Sequence, residues 1–534
     1  MLSERNEGLP SSLRLRASGQ RGMTRNWSAA APARVQSLSV PEAGMVREPQ
    51  AIDLKTQPHD SVLHRLPAAL HDINDRLARV FAAAGHELYL VGGVVRDLLL
   101  GRPVTDLDYT TSASPEETKR LGQEAGADSI YTVGEAFGTI GLVFAAITVE
   151  ITTYRTEWYP TPDRRPAVRF GNSLSEDLAR RDFTVNAIAV HAVTGELVDP
   201  FGGSHDLEHR LLRAVGDSRE RFREDPLRML RAARFAAQLG FEVEAETRAA
   251  MRELAAELQR VSVERIAQEL NRLLLAPEPD RGLELLRQTG LLSFVLPELV
   301  PLAEDVADRR HKDIWRHTLQ VVRQSPPRLA VRWAALLHDA AKPMTRTIDE
   351  RGEVHFFGHE IEGAHLARKT LRRLRQEKAL IERVARLVEL HLRPAAYDET
   401  WTDSAVRRLM VEAGDLLDDL LDLVAADVTS ARATRRREAA ARIARLRAHI
   451  RRLEEEAALA QIKSPLDGHE LMAIFGLPPG RWIAEVKSYL RELVIEGQLA
   501  PGDKETARLL AERWLAEHPE IIAQAAQRSR GAVD

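Results

Sequence analysis

The pattern of hydrophobic and polar positions changes character once along the chain. Between Leu63 and Phe201 helical stretches alternate with short β-rich runs: Leu88-Tyr89-Leu90-Val91, Gly138-Thr139-Ile140-Gly141-Leu142-Val143 and Thr148-Val149-Glu150-Ile151-Thr152-Thr153. Apolar β-branched runs bounded by turn residues predict strands, and their alternation with helical spacing predicts a small mixed-sheet head. From Asp206 onward strand signals nearly vanish. Leu, Ala, Arg and Glu recur at helical spacing, broken at Pro277, Pro297, Pro326, Pro394 and Pro465. The remainder predicts as almost all helix, so the fold class expected is α+β. No internal repeat of the solenoid kind is present. Residues 1–62, rich in Ser, Ala, Arg and Pro without periodicity, are expected to be a disordered extension.

The chain has 534 residues, and single cores stop growing near about 250–300, so several modules are expected. There is no cysteine, which excludes disulfides, thiolate zinc sites and thiol nucleophiles and leaves His, Asp and Glu as metal ligands. No run approaches the roughly 20 apolar residues of a membrane span, and no secretory apolar core of about 7–15 residues is present. A soluble, cytoplasmic protein without a membrane partner is expected. The net charge of −4 hides a local excess: Arg432 to Arg452 holds nine arginines and one glutamate. A phosphate backbone responds to local charge, not to the net value. Ile443, Leu446, Ile450 and Leu453 interleave these arginines at helical spacing, which predicts a long amphipathic helix, either a surface that tracks a phosphate backbone or a structural element.

The first chemical cluster is Val91-Gly92-Gly93-Val94-Val95-Arg96-Asp97, followed by Asp106-Leu107-Asp108. Gly92 and Gly93 after an apolar run let backbone approach a phosphate, and the next helix start offers free N–H groups to an anion. Arg96 adds a bidentate phosphate contact, and Asp97 is grouped with this nucleotide-binding set. Asp106 and Asp108, two apart on an extended segment, project to one face. Paired carboxylates of this kind call for a divalent cation, and two Mg²⁺ ions stabilise both oxygens of an in-line displacement. Glu150, facing away from Val149 and Ile151 by period 2, is the candidate third carboxylate.

Downstream, Arg180-Arg181-Asp182-Phe183-Thr184-Val185-Asn186 carries paired arginines suited to a triphosphate, with Asn186 at a ribose or a loop. Asp182 reads as a partner that orients an arginine, not as a metal ligand. Glu224-Asp225-Pro226-Leu227-Arg228 starts a helix, with Asp225 at the cap and Pro226 as its first residue. Asp225 and Arg228, three apart, stand close at that helix start. A carboxylate beside a guanidinium matches the Watson–Crick edges of cytosine and adenine and mismatches uracil and guanine. Arg231 and Arg234 continue the basic face, for phosphate or base contacts or as an ordinary solvated surface.

These motifs, in this order from Leu63 to about Val300, resemble the class II tRNA nucleotidyltransferase and bacterial poly(A) polymerase family. The resemblance implies a polymerase-β-like head at 63–207, a helical base- and RNA-recognising neck at 208–300, and Mg²⁺-dependent addition of C, C and A to tRNA from CTP and ATP. It implies Asp106 and Asp108 as metal ligands, nucleotide contacts from Gly93, Arg96, Arg181, Arg228 and Arg231, and base reading by Asp225 with Arg228. Poly(A) polymerase is the alternative. Val133-Gly134-Glu135-Ala136-Phe137-Gly138-Thr139-Ile140 is similar to the CCA branch, and no long basic tail follows. A further module at 431–534, from Ser464-Pro465-Leu466-Asp467-Gly468 onward, resembles the tRNA-binding tail of that branch.

A second set, His317, His338-Asp339, His359, His391 and Asp427, provides six imidazole and carboxylate groups in helical context. Such a set suits a dinuclear centre for Mn, Ni, Zn, Fe or Mg. It resembles the HD phosphohydrolase superfamily, placed here at 301–430, and a metal-bound water there would attack a phosphoester. An HD phosphatase or phosphodiesterase as the main activity is therefore a second alternative.

Overall fold

The computed structural model describes residues 62–158, 167–171, 173–304, 313–429, 432–461 and 463–521. The extension expected over 1–62 lies outside these residues except for Val62, which is buried.

The head is a mixed sheet built from β1 (Leu88–Val91), β2 (Leu107–Thr111), β3 (Ser129–Tyr131), β4 (Thr139–Phe144), β5 (Ile147–Thr153), β8 (Ala189–His191) and β9 (Leu197–Val198), while β6 (Arg155–Trp158) and β7 (Ala167–Phe170) pair as a separate ribbon. Strand order is β3-β4-β5-β2-β1-β8-β9. The pairings are antiparallel except β2 with β5, whose parallel register sets Asp108 beside Glu150. Period-2 alternation explains why the sheet forms: Leu107, Val149 and Ile151 are fully buried while Glu150 between them stays out. Helix Ala68–Ala83 is tied on by a polar bridge, with Tyr109 Oη donating to Asn74 Oδ1 at 3.0 Å and Asn74 Nδ2 donating to the Ala192 carbonyl at 3.1 Å. Of these strands, β1, β4 and β5 answer to the runs read from the sequence. The two- and three-residue strands β3, β8 and β9 are too short for periodicity to declare, and β6 and β7 are not among those runs.

Beyond the head the described residues are mainly helical, with two short strand pairs, Leu211–Leu212 with Glu242–Val243 and Thr347–Ile348 with Val354–His355. The neck is framed by helices Leu227–Leu239, Val263–Leu274 and Pro279–Gln288, and the next module by Ile314–Gln324, Leu329–Leu337, His359–Arg373, Lys378–Leu390 and Leu417–Ala426. The arginine-rich segment is one 29-residue helix, Ala433–Gln461, burying Ile443, Leu446, Ile450 and Leu453 at 4% exposure or less. This helix belongs to the main apolar core, whereas residues from Leu466 onward form a core of their own around Leu471, Trp482, Val486 and Leu490. The region read as one tail, 431–534, thus packs in two parts. The apolar stripe is sealed against helices Asp403–Ala413 and Leu417–Ala426, where Arg447 meets Asp422 at 2.5 Å and Arg452 meets Asp403 at 2.5 Å. Among the described residues no helix is long and apolar enough to cross a membrane.

Candidate active sites

Strand β1 ends in a turn that only glycine makes cheaply: Gly92 has φ +72° and ψ −133° and caps helix Gly93–Leu99. A Cβ on Gly92 would also stand 3.0 Å from Arg181 Nη1. Gly92→Ala is therefore expected to lose about 1–3 kcal/mol in chemical denaturation, and to weaken nucleotide binding in titrations by displacing Arg181.

Asp106, just before β2, and Asp108, on β2, open on a cleft of about 1330 Å³ that also takes in Gly92, Gly93, Arg181 and the first turn of Leu227–Leu239. Burial first, then the charges of Asp106 and Asp108's strand neighbour Glu150, push the Asp108 carboxyl up to about 6, with Arg181 pulling the other way. Crowded carboxylates of this kind gain most from a divalent cation, and oxygen donors alone suit Mg²⁺. Glu150 is exposed, stands beside Asp108 by register and accepts from Tyr131 Oη at 3.4 Å. It is not part of the cleft lining.

Arginine dominates the opposite wall. Arg180 and Arg181 are gathered by Asp177, which is fully buried and contacts them at 2.7 and 3.3 Å. Asp177 was not singled out in the sequence, although an acid three and four residues before paired arginines on a helix is a local signal. Asp182 is 7% exposed; its Oδ2 accepts from Arg231 Nε at 2.8 Å and its Oδ1 from Asn186 Nδ2 at 3.1 Å. Asn186 Oδ1 in turn accepts from Arg96 Nη1 at 2.8 Å. Arg96, expected to fork onto a phosphate, is buried and closes its fork on Asp97, at 3.0 and 2.8 Å. Asp97 is thereby paired within the fold, and Asn186 bridges Asp182 and Arg96. Phe235 organises the same wall: the guanidinium carbons of Arg96, Arg231 and Arg234 lie 5.3, 5.5 and 3.9 Å from its ring centre. Arg234 is buried against Glu269 at 2.6 Å, so it braces the wall and is not part of a solvated face.

The base-reading pair differs from expectation. Asp225 and Arg228 both line the cleft, but each has another ionic partner: Asp225 meets Arg265 at 2.7 Å and Arg228 meets Glu224 at 2.7 Å. Arg228 also donates to the Arg180 carbonyl at 2.7 Å, linking the neck to the arginine wall. The helix starts at Leu227, with Pro226 at its cap, one residue later than read. Asp225 is extended, and its Oδ1 accepts from Leu227 N at 3.2 Å. Arg265, from the helix forty residues on, had no local signal.

The six residues of the second set converge as two triads, His317 with His338 and Asp427, and Asp339 with His359 and His391; within each triad the ligand atoms lie within 4.8 Å of one another. His317 is mid-helix; the others sit at helix ends, not inside helices as read. His338, His391 and Asp427 are C-caps, and His359 opens its helix. The reason is geometric: the ring Nδ1 of His338, His359 and His391 meets the carbonyl three residues back at 2.8, 2.7 and 2.6 Å, and His317 Nδ1 meets Thr429 Oγ1 at 2.6 Å. With Nδ1 engaged, each Nε2 turns inward, the outer-shell arrangement that holds metal-ligating histidines. His359 Nε2 is buried without a hydrogen bond. Burial first, then His338, lowers His391 to about 4, the neutral ligand form. Burial opposes protonation of His338 too, but Asp339 and Asp427 outweigh it and raise that ring to about 10. The two carboxylates therefore demand positive charge among these rings, which a divalent cation supplies more fully than a proton.

The family model for the poly A polymerase head domain matches residues 88–213, that for the probable RNA and SrmB-binding site of polymerase A matches 240–302, and the HD domain model matches 303–432. The CCA-adding enzyme of Geobacillus sp. (strain WCH70) is 34% identical over 420 residues, spanning 78% of this chain and 90% of that protein. This chain belongs to the tRNA nucleotidyltransferase family. Another tRNA nucleotidyltransferase, the A-adding enzyme of Deinococcus radiodurans, is 36% identical over 444 residues, spanning 80% of this chain and 96% of that protein. Among solved tRNA nucleotidyltransferases, the Bacillus stearothermophilus CCA-adding enzyme in complex with CTP aligns at a TM-score of 0.55 and 28% identity, covering 85% of this chain and 100% of that one. The Thermotoga maritima CCA-adding enzyme complexed with tRNA shares the fold at a TM-score of 0.50 and 18% identity, covering 86% and 99%.

Proposed function

We propose that this tRNA nucleotidyltransferase adds C, C and A to the 3′ end of tRNA from CTP and ATP without a nucleic-acid template, in the cytoplasm. The carrying observation is that one cleft joins Asp106 and Asp108 to the Gly92-Gly93 turn, Arg181, and the neck residues Asp225, Arg228 and Arg265. In this reading the tRNA 3′-hydroxyl attacks the α-phosphate, a phosphodiester forms and pyrophosphate leaves. Asp106 and Asp108 hold Mg²⁺, which when bound supplies the positive charge that the attacking and leaving oxygens need. Arg181 and the Gly93 helix start hold the triphosphate, with Arg231 behind them. Asp225, flanked by Arg265 and Arg228, accepts from the amino group of C or A while a guanidinium donates to the neighbouring ring nitrogen. Uracil and guanine present the reversed pattern and are rejected. Arg96, Asp97, Asp182, Asn186 and Arg234 act by positioning this wall, and Glu150 tunes the charge at Asp108.

The fully oriented HD set favours a second activity on the same chain. His317, His338 and Asp427 with Asp339, His359 and His391 would hold Mn, Ni, Zn, Fe or Mg, which when bound would supply the charge that activates water toward a phosphate monoester, giving an alcohol and phosphate. Asp339→Ala is expected to reduce bound divalent metal, measured by elemental mass spectrometry, while CCA addition persists.

The test is purified protein with Mg²⁺ and tRNA transcripts ending at the discriminator base or at CC, supplied with CTP and ATP singly and together, and 3′ ends sequenced. Ends of CCA that stop there establish the reading. A added only to transcripts ending in CC makes the chain an A-adding enzyme, as the similarity to the Deinococcus protein allows. A-tails on unrelated RNA make it a poly(A) polymerase.

A further inference from the structure

The geometry points to a phosphate-binding subsite over the HD centre, supplied by the arginine-rich helix that follows it. The inference rests on the HD reading above. A cavity of about 1030 Å³ opens onto His317 and Asp427, two members of one ligand triad, and its walls carry Arg316, Arg435, Arg436 and Arg442. This volume suits a nucleotide.

The arginines of Ala433–Gln461 divide into two zones. Toward its middle Arg447 and Arg452 are locked onto Asp422 and Asp403. Toward its start Arg435 and Arg442 make no ion pair among the described residues, nor does Arg316 across the cavity, and Arg442 Nε is buried without a hydrogen bond. An unsatisfied guanidinium nitrogen in a cavity wall is costly unless an acceptor docks against it. The helix start adds to this. Its first turn has no acid and carries Arg435 and Arg436, cations placed at the positive end of the helix dipole. That placement opposes helix stability and becomes favourable when an anion sits there. Three carboxylates line the cavity as well: Asp427 belongs to the metal triad, Asp313 is engaged as a cap, accepting from Arg316 N at 2.9 Å, and Glu438 stands on the arginine-rich helix, against four guanidinium groups.

The ligand class is a phosphate ester carried by a nucleoside or by an RNA end. The metal triad would face one side of the phosphate and the arginine fork the other, a division that needs two or more phosphate oxygens free. A helix outside the HD fold would thus decide which esters reach the centre.

The test uses the full chain, loaded with Mn²⁺ and with its metal content measured. Equilibrium binding is read for AMP and for a short oligoribonucleotide ending in a 3′-phosphate, in wild type, Arg442→Ala, Arg442→Lys and Arg435→Ala. The nucleotidyl cleft is unchanged in all four, so a difference between them reports on the HD cavity. Arg442→Ala and Arg435→Ala are expected to lower affinity for the phosphorylated ligands by about tenfold or more, with Arg442→Lys intermediate and with metal content and thermal melting unchanged. The better-bound ligand identifies the source, free nucleotide or RNA end. Equal affinity in all four proteins with metal bound overturns the subsite and leaves the HD reading intact. Absence of bound metal in wild type overturns both.

Discussion

Asp108→Asn is expected to lower nucleotidyl transfer by about a thousandfold or more, read as initial rates of CMP incorporation, without lowering the melting temperature. A metal-held charge at a transferring phosphoryl group is worth several kcal/mol, and about 4 kcal/mol corresponds to roughly 10³ in rate. Stability should not fall because the native carboxyl is under strain: burial and the charges of Asp106 and Glu150 raise it to about 6. An amide of the same shape removes that repulsion. The HD centre lies on other elements, so metal bound there, measured with EDTA-treated and reloaded protein, should be unchanged. Full activity in Asp108→Asn would remove these two aspartates from the reaction.

Asp182→Ala is expected to cost about 3–5 kcal/mol of folding free energy, measured by denaturant unfolding, and to reduce transfer severely at temperatures where the chain remains folded. Removing one partner of a buried pair leaves the other charge uncompensated. Here it would strand Arg231 and release Asn186, which holds Arg96. The pH dependence follows from the same contacts. Burial alone would raise the Asp182 carboxyl, but Arg231, Asn186 and Arg228 overcome it and lower it from 3.8 to about 2. A depressed folded value stabilises the protein above the unfolded value, and the contribution is lost as pH falls through the folded one. Wild type should therefore shed about 2 kcal/mol between roughly pH 4 and pH 2 that Asp182→Ala does not shed. Parallel acid-unfolding curves for the two proteins would contradict the assignment.

Local chemistry was legible in the chain because its rules act over a few residues. Gly92-Gly93 after an apolar run, Asp106 and Asp108 two apart, and the alternation around Glu150 each depend on neighbours in sequence, and the structure keeps them where periodicity put them. The amphipathic helix was legible for the same reason: Ile443, Leu446, Ile450 and Leu453 return to one face whatever they pack against.

Tertiary packing decided the ionic partners. Asp225 and Arg228 are neighbours on the chain, yet Arg265 reaches Asp225 from forty residues away and Glu224 takes Arg228. Several arginines compete for few buried acids, and distance in space, which no short-range pattern encodes, settles the pairing. The stacking of three guanidinium groups on Phe235, the inward turn of the HD imidazoles and the arginine wall over that centre share this origin. By itself the sequence determined which groups are available and how neighbouring side chains face. Only the folded chain decided which groups meet, because a contact between distant segments exists only once both are packed on one core.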